Sequence, residues 1–365
     1  MESPYRYGIV GGGWRAEFFL RIQAAMSDRF HLLGVVVRDP EKAARLETAY
    51  SVRTFRTVDA LLDADAPEFL VTSVSYAANG DMNGRLTRTG LPILAETPPA
   101  ATLDEMLGLW EQCIAANAKM QVAEQFHRQP HHAARIEAIR HGLLGPVHTA
   151  HVSVCHGYHG VSLLRRFLGI GFENAVVLGA GWSDRVRDPG NRSGAPEAPA
   201  VRTVPHQVAL LSFENGAQGV FDFTSVQYYS AIRPQRVMVR GELGEIVDLT
   251  VHAADERNDA IPLRFERIAA GACGNLEGAH LKGIRLGGEW LYRNPTAPAR
   301  LSDEEIAIAD MLGRMGAWVR GGGPEPYPLA EGMQDHYLGL LIREACETGG
   351  TRESVRQPWS EAAAG

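Results

Sequence analysis

The chain has 365 residues but only four cysteines, Cys113, Cys155, Cys273 and Cys346, spread far apart and without paired spacing. That excludes both a disulfide framework and a cysteine-rich zinc site. It also lacks any apolar run long enough to span a bilayer. Its N-terminus has no basic stretch leading into an apolar signal core, so a cytoplasmic protein is expected. A strong charge of either sign is missing too. Net charge is -7, which argues against nucleic acid or an anionic membrane as partner. Aromatics make up 8%, while apolar residues reach 45% and charged residues 22%. Those proportions suit an ordinary globular chain long enough for two domains. No internal repeat is visible.

What is present begins at residue 7. Tyr7-Gly8-Ile9-Val10 is an apolar strand that runs into Gly11-Gly12-Gly13-Trp14-Arg15-Ala16, a glycine turn opening a helix. In such a turn Gly11 permits the tight bend, Gly13 lets backbone approach a pyrophosphate, and Ala16 lets the helix pack on the strand. Amide groups at the helix start then face the anion. The helix pattern Glu17–Met26 and a second strand, His31–Val37, complete a βαβ unit. Asp39-Pro40 opens the next helix as N-cap and first residue. Strand patterns follow at Phe69–Ser75, Leu91–Glu96 and Met120–Glu124, with a capping box Thr102–Glu105 between the last two. This alternation predicts a doubly wound parallel sheet over residues 1–125, a Rossmann domain.

Beyond residue 125 the pattern changes. An amphipathic helix is expected over Pro130–Gly142. Alternating strands follow at Val147–Val154, Val208–Phe213, Gly219–Thr224 and Gln235–Arg240, the signature of an open, mostly antiparallel sheet. Asp184–Val201 reads as a mobile surface loop. Ser302–Glu305 caps a further helix, and Leu329–Thr348 predicts an amphipathic C-terminal helix that packs back on the body. Residues 126–365 are accordingly expected to form an α/β domain for substrate binding and oligomerisation.

Four segments together resemble the Gfo/Idh/MocA oxidoreductases. They are the glycine turn, Ala95-Glu96-Thr97-Pro98-Pro99, Val122–Pro130 and His159-Gly-Val-Ser-Leu-Leu-Arg-Arg-Phe-Leu-Gly169. The resemblance implies an NAD(P) cofactor and a sugar, polyol or similar small molecule oxidised or reduced at a carbinol. It also implies a homodimer or homotetramer formed through the open sheet. By it, Glu96 reaches the nicotinamide ribose, and Gln125 and His127 lie at the cofactor end and the substrate. Two departures stand out. The family places a lysine where this chain has Thr97, and an aspartate where it has Cys155. A threonine hydroxyl has no useful acid–base pKa near neutrality.

His159 remains as the matching histidine, and its ordinary pKa near ~6.5 suits a general acid or base. Tyr158 and His156 are expected to join it. Along a strand end, His156 and Tyr158 would share one side and His159 the other; with a helix starting at His159, its ring would sit at the helix mouth. Cofactor contacts are assigned to Gly11, Gly13, Trp14, Arg15, Arg38, Ser73, Glu96, Thr97 and Gln125. Substrate contacts are assigned to His127, Ser162 and His206, with His280, Lys282 and Tyr292 as further candidates. No metal site is expected. His131 and His132 read as surface residues, and Asp335-His336 as structural. At the end of the second strand Val37-Arg38-Asp39 lacks the carboxylate typical of NAD binding in its usual place. Arg38 there leans toward NADP, and Asp39 keeps NAD open. Two other functions stay open. One is an NAD-dependent glycosidase or lyase that oxidises its sugar transiently and returns the hydride. The other is a non-catalytic dinucleotide sensor.

Overall fold

The computed structural model describes residues 3–362. Its first strands and helices alternate. They are β1 (Tyr5–Val10), α1 (Ala16–Ala25), β2 (Phe30–Val36), α2 (Pro40–Tyr50), β3 (Thr54–Phe55), α3 (Val58–Ala64), β4 (Phe69–Thr72), α4 (Asn79–Leu86), β5 (Ile93–Ala95), α5 (Leu103–Ala115) and β6 (Met120–Val122). The six strands form one parallel sheet in the order β3-β2-β1-β4-β5-β6. Strands covered by helices on both faces must be apolar on both, and every residue of β4, β5 and β6 is buried. Strand order reverses between β1 and β4, so a crevice opens beyond their C-terminal ends, where ligands of such sheets bind. The predicted caps form. Asp39 accepts from the amides of Glu41 and Lys42, and Thr102 and Glu105 make their reciprocal box.

The chain continues through α6 (Pro130–Arg140), β7 (Val147–Ser153), α7 (Gly157–Leu168), β8 (Ala175–Arg187), β9 (Val201–Phe213), β10 (Gln218–Thr224), β11 (Arg236–Gly241), β12 (Gly244–Val247), β13 (Thr250–Ala254), β14 (Ala260–Ala270), β15 (His280–Leu286) and β16 (Glu289–Arg293). Then come α8 (Asp303–Val319), α9 (Leu329–Thr348), β17 (Gly350–Glu353) and α10 (Pro358–Ala362). The second sheet runs β16-β15-β14-β13-β12-β11-β7-β10-β9-β8-β17. Strand β10 lies parallel to β7, while β8–β9, β9–β10, β7–β11 and β11–β12 are antiparallel. The open, mostly antiparallel sheet expected from the alternating segments is present.

The described chain divides into two compact units. One comprises residues up to Pro130 with Ile268–Gly283 and Arg293–Met333; the other comprises His131–Arg267, Ile284–Tyr292 and the residues from Gln334 onward. Neither is contiguous, whereas the sequence reading drew one boundary after residue 125. Helix α8 joins the first unit because Ile308, Leu312 and Met315, at helical spacing, share its core with Tyr7, Phe19 and Phe30. Its N-terminus carries the predicted box of Ser302 and Glu305.

Local readings needed three corrections. The predicted loop from Asp184 is shorter, since β8 runs to Arg187 and pairs in register with β9 down to Val201. Helix α6 is not amphipathic, because Ala134, Arg135, Ile136 and Ala138 bury most of its circumference. Helix α9 is enclosed over its first half, from Leu329 to Leu338, where Glu331 alone is partly exposed. It can be so enclosed because Gly339 lets backbone meet backbone: a Cβ there would lie 3.0 Å from Tyr158 N. No described helix is long and apolar enough to cross a membrane. All four cysteines are free, and only Cys273 is exposed.

Candidate active site

In the first unit the glycine turn closes against β4. The Gly11 amide donates to Val36 O at 3.0 Å and Ser73 N donates to Val10 O at 2.8 Å. Gly11 has φ +109°, and a Cβ on it would stand 2.2 Å from the Ser73 carbonyl oxygen. Only glycine fits that bend. No side chain caps the start of α1 at Arg15, and Ala16 is fully buried. The buried Ser73 Oγ has no hydrogen-bond partner among the described residues. A glycine bend, an uncapped helix start and an orphan hydroxyl fit a pyrophosphate-bearing dinucleotide. Replacing Gly11→Ala should therefore add roughly 1–3 kcal/mol of backbone strain and weaken NADH binding at least ~10-fold in a fluorescence titration. Unchanged affinity would remove Gly11 from the cradle.

Arg15 does more than sequence suggested. Its guanidinium lies 2.6 Å from Glu304 and 3.5 Å from Glu96, and packs over the rings of the half-exposed Trp14 and of Phe18. Two carboxylates thus balance the charge assigned to the phosphates, and Glu304, on α8, was not legible as their neighbour. Burial pushes the Glu96 carboxyl above its ordinary range, with Arg15 working against that rise. With its amide nitrogen on Ala123 O at 2.7 Å, Gln125 offers its oxygen to Arg15 Nη2 at 3.3 Å. Arg15, Glu96, Gln125, Leu94, Ala123 and Met311 line one small pocket. Thr97 Oγ1 donates to Glu96 Oε1 at 3.3 Å. The backbone of this loop hangs on Asn79, whose Nδ2 donates to Glu96 O at 2.8 Å and Pro98 O at 2.5 Å. Asn83 adds a bond to Pro99 O at 2.7 Å. Neither asparagine was singled out from sequence. His127 is buried, its ring 5.1 Å from that of Tyr327.

At the end of β2 Arg38 is exposed. Asp39 Oδ1 is committed to the helix cap. A second cation stands there as well, because Arg56 Nη1 donates to Val37 O at 3.1 Å.

The second unit gathers the imidazoles. Helix α7 starts at Gly157, earlier than either reading of the sequence, with His156 as its N-cap. Helical spacing then puts His156 and His159 on one face, their rings 5.1 Å apart. Tyr158 packs 4.4 Å from His159 and 4.9 Å from His156. His159 is buried, at 3% exposure, with its amide on His156 O at 3.1 Å. Two residues missed from sequence complete the cluster. His336 of α9 lies 5.6 Å from Tyr158 ring to ring, and Tyr228 places its hydroxyl 2.5 Å from His156 Nδ1. Ser162 is fully buried one turn along, its Oγ without a partner among the described residues. Below it Arg165 meets Asp335 at 2.6 Å, both at 2% exposure.

His206 sits elsewhere in the unit, with both ring nitrogens taken. Nδ1 is 2.8 Å from Asp184 and Nε2 2.6 Å from Asp222, which leaves neither for a substrate. Burial works against its charged form, but the bonds to Asp222 and Asp184 prevail and raise its pKa. His151, 3.7 Å away, and His206 hold the Asp222 carboxyl down at about 2. Stabilisation from His206 is complete below its unfolded value near 6.5 and is lost as pH rises through the folded value. That from Asp222 is present above its unfolded value near 3.8 and lost as pH falls toward about 2. Urea denaturation across pH should give a plateau between these limits, and His206→Asn should flatten the alkaline decline. An unchanged profile would discount the pair. His132 is another correction: it is buried against Arg135, and burial first, then that cation, lowers its pKa well below the ordinary value. Among the described residues no cluster is placed to hold a metal ion.

Residues 5–124 match the family described as oxidoreductase family, NAD-binding Rossmann fold (GFO_IDH_MocA). No curated protein matches the sequence. Among solved structures the chain is similar to an oxidoreductase from Agrobacterium radiobacter in complex with NAD+, L-tartaric acid and magnesium. The TM-score is 0.70 at 13% identity, covering 96% of this chain and 98% of that one. It is also similar to the WlbA dehydrogenase of Bordetella pertussis in complex with NADH and UDP-GlcNAcA, with TM-score 0.65 at 16% identity over 97% and 100% of the two chains. A protein assigned as a myo-inositol dehydrogenase from Sinorhizobium meliloti has TM-score 0.63 at 18% identity over 96% and 98%. At such identities these likenesses are of fold. By that match, and with the glycine cradle that it builds, residues 5–124 form an NAD-binding Rossmann domain of the Gfo/Idh/MocA oxidoreductase type.

Proposed function

We propose that the protein oxidises or reduces a carbinol of a sugar or similar polyhydroxy molecule, with His159 as general acid or base. The observation that carries this reading is the buried His159 held against Tyr158 and His156 at the start of α7. A bound nicotinamide dinucleotide would supply the hydride acceptor. Gly11, Gly13, Ser73 and the open start of α1 would hold its phosphates, and Glu96 and Gln125 its nicotinamide end. Oxidation leaves a hydroxyl proton to be removed, and a neutral imidazole is the group in this unit suited to take it. Tyr158 and His156 would contact neighbouring hydroxyls, and the aromatic faces of Phe223 and Tyr228, 5.2 Å apart, suit the C–H face of a sugar ring. Relatives of this fold bound to UDP-GlcNAcA or assigned to myo-inositol support the substrate class. The test is appearance of reduced nicotinamide when the protein meets NAD+ or NADP+ with myo-inositol, L-tartrate or a UDP-sugar. No net reduction with any of them would count against it.

Thr97 favours a second reading. Its hydroxyl is engaged with Glu96, so the proton-handling lysine of the family has no substitute there. Transient oxidation followed by elimination and hydride return would fit. Nucleotide retained through purification, with glycoside cleavage and no net reduced cofactor, would select it. Binding without either reaction would leave a sensor. Exposed Val176, Leu178 and Leu210 on paired strands β8 and β9 support a second copy covering that face.

For the dinucleotide, Arg38 and Arg56 beside a committed Asp39 support NADP. Replacing Arg38→Ala should weaken NADP about ten-fold more than NAD, the scale of one charged hydrogen bond. Equal losses in a binding titration would take Arg38 off the 2′-phosphate.

A further inference from the structure

His156 has two contacts with a single phenol. Its backbone amide donates to Tyr228 Oη at 3.1 Å, and its Nδ1 lies 2.5 Å from the same oxygen. The amide can only donate, so one lone pair of that oxygen is used, and the remaining question is which partner of the short contact carries the proton. A phenol is a far stronger acid than a neutral imidazole N–H, and an imidazole nitrogen is a far stronger base than a phenol oxygen. The hydroxyl therefore donates to Nδ1, which places the imidazole proton on Nε2.

The phenol is built to stay there. Tyr228 ends a short turn, Ser225–Tyr228, that follows β10 and is closed by a box between Thr224 and Gln227. Gln227 Nε2 then reaches Ser153 Oγ at 2.9 Å and Ser153 O at 3.3 Å, tying the turn to the end of β7 just ahead of His156. The Phe223 ring packs 5.2 Å from that of Tyr228.

We propose that Tyr228 is a positioning residue that holds His156 in its Nε2–H tautomer. His156 is then a hydrogen-bond donor toward a substrate oxygen and takes no proton itself, so of the two imidazoles at the start of α7 the proton acceptor is His159. The division of labour rests on the function proposed above; the tautomer does not.

The experiment is a long-range 15N–1H correlation spectrum of the full chain labelled with 15N-histidine at neutral pH. His156 is assigned by the resonances lost in His156→Gln. The expected result is a protonated Nε2 and an unprotonated Nδ1, drifting to a mixture of tautomers in Tyr228→Phe. A protonated Nδ1 in the unaltered protein would overturn the proposal, as would a pattern that Tyr228→Phe leaves unchanged. With whichever of myo-inositol, L-tartrate or UDP-sugar turns over, Tyr228→Phe should raise KM by about ten-fold and leave the pH dependence of kcat where it was. A displaced pH limb would make His156 or Tyr228 the base and sink the assignment. If none turns over while the tautomer is as expected, the proposed reaction fails and the Tyr228–His156 pairing stands.

Discussion

Replacing His159→Ala should lower turnover at least ~10²-fold, the usual loss when a positioned acid or base is removed, while NAD(P) affinity stays at its unaltered value. The two readouts separate because the residues assigned to the dinucleotide, from Gly11 to Gln125, all belong to the first unit, and His159 belongs to the second. His159 is also buried, so its removal leaves a void as well as a missing base. His159→Asn fills most of that void and should be as slow. A fast Asn variant beside a slow Ala variant would mean that the ring packs and does not transfer protons. Turnover unchanged in both would end the assignment and direct attention to Tyr158.

Replacing Arg165→Met should cost about 3–5 kcal/mol of stability, the scale of a buried ion pair broken on one side. The Arg165 guanidinium meets Asp335 at 2.6 Å with both side chains sealed from water. Its Nε also donates to Gly171 O at 3.0 Å. The variant keeps the length and loses the charge that faces the Asp335 carboxylate. Urea denaturation measures the loss, and a second change, Asp335→Leu, should recover part of it because the buried carboxylate opposite goes too. A single variant within about 1 kcal/mol of the unaltered protein would show that the pair contributes little. The consequence reaches the site. The pair joins α7 to α9, and on those helices Tyr158 and His336 face one another at 5.6 Å, so activity should fall along with stability.

Much of the first unit was legible in the amino acids. Tyr7–Val10, the glycine turn, Asp39-Pro40 and Thr102–Glu105 are local signals, each acting within a few residues, and each appears where expected. The candidate site was legible as a set of residue types near 156–159, but not as a geometry. Starting the helix at Gly157 turned a two-residue alternation into a three-residue repeat, which moved His156 onto the face of His159. Tyr228 could not have been found, since it lies 72 residues from His156 and no short-range pattern marks it. The same holds for Glu304 beside Arg15, 289 residues apart, and for Asn79 under the Glu96 loop. His206, a substrate candidate by type, turned out to be claimed on both nitrogens by aspartates that only strand pairing brings near.

Sequence alone determined the class of the fold, the alternation of strands and helices in its first domain and the kind of ligand its glycine turn accepts, because backbone sterics, caps and short-range hydrophobic period act between near neighbours. Tertiary structure decided which charges cancel, which helix completes the first core and which phenol holds which imidazole. Those depend on burial and on pairings between distant segments, and a dielectric environment or a partner at 2.5 Å exists only once the chain has closed on itself.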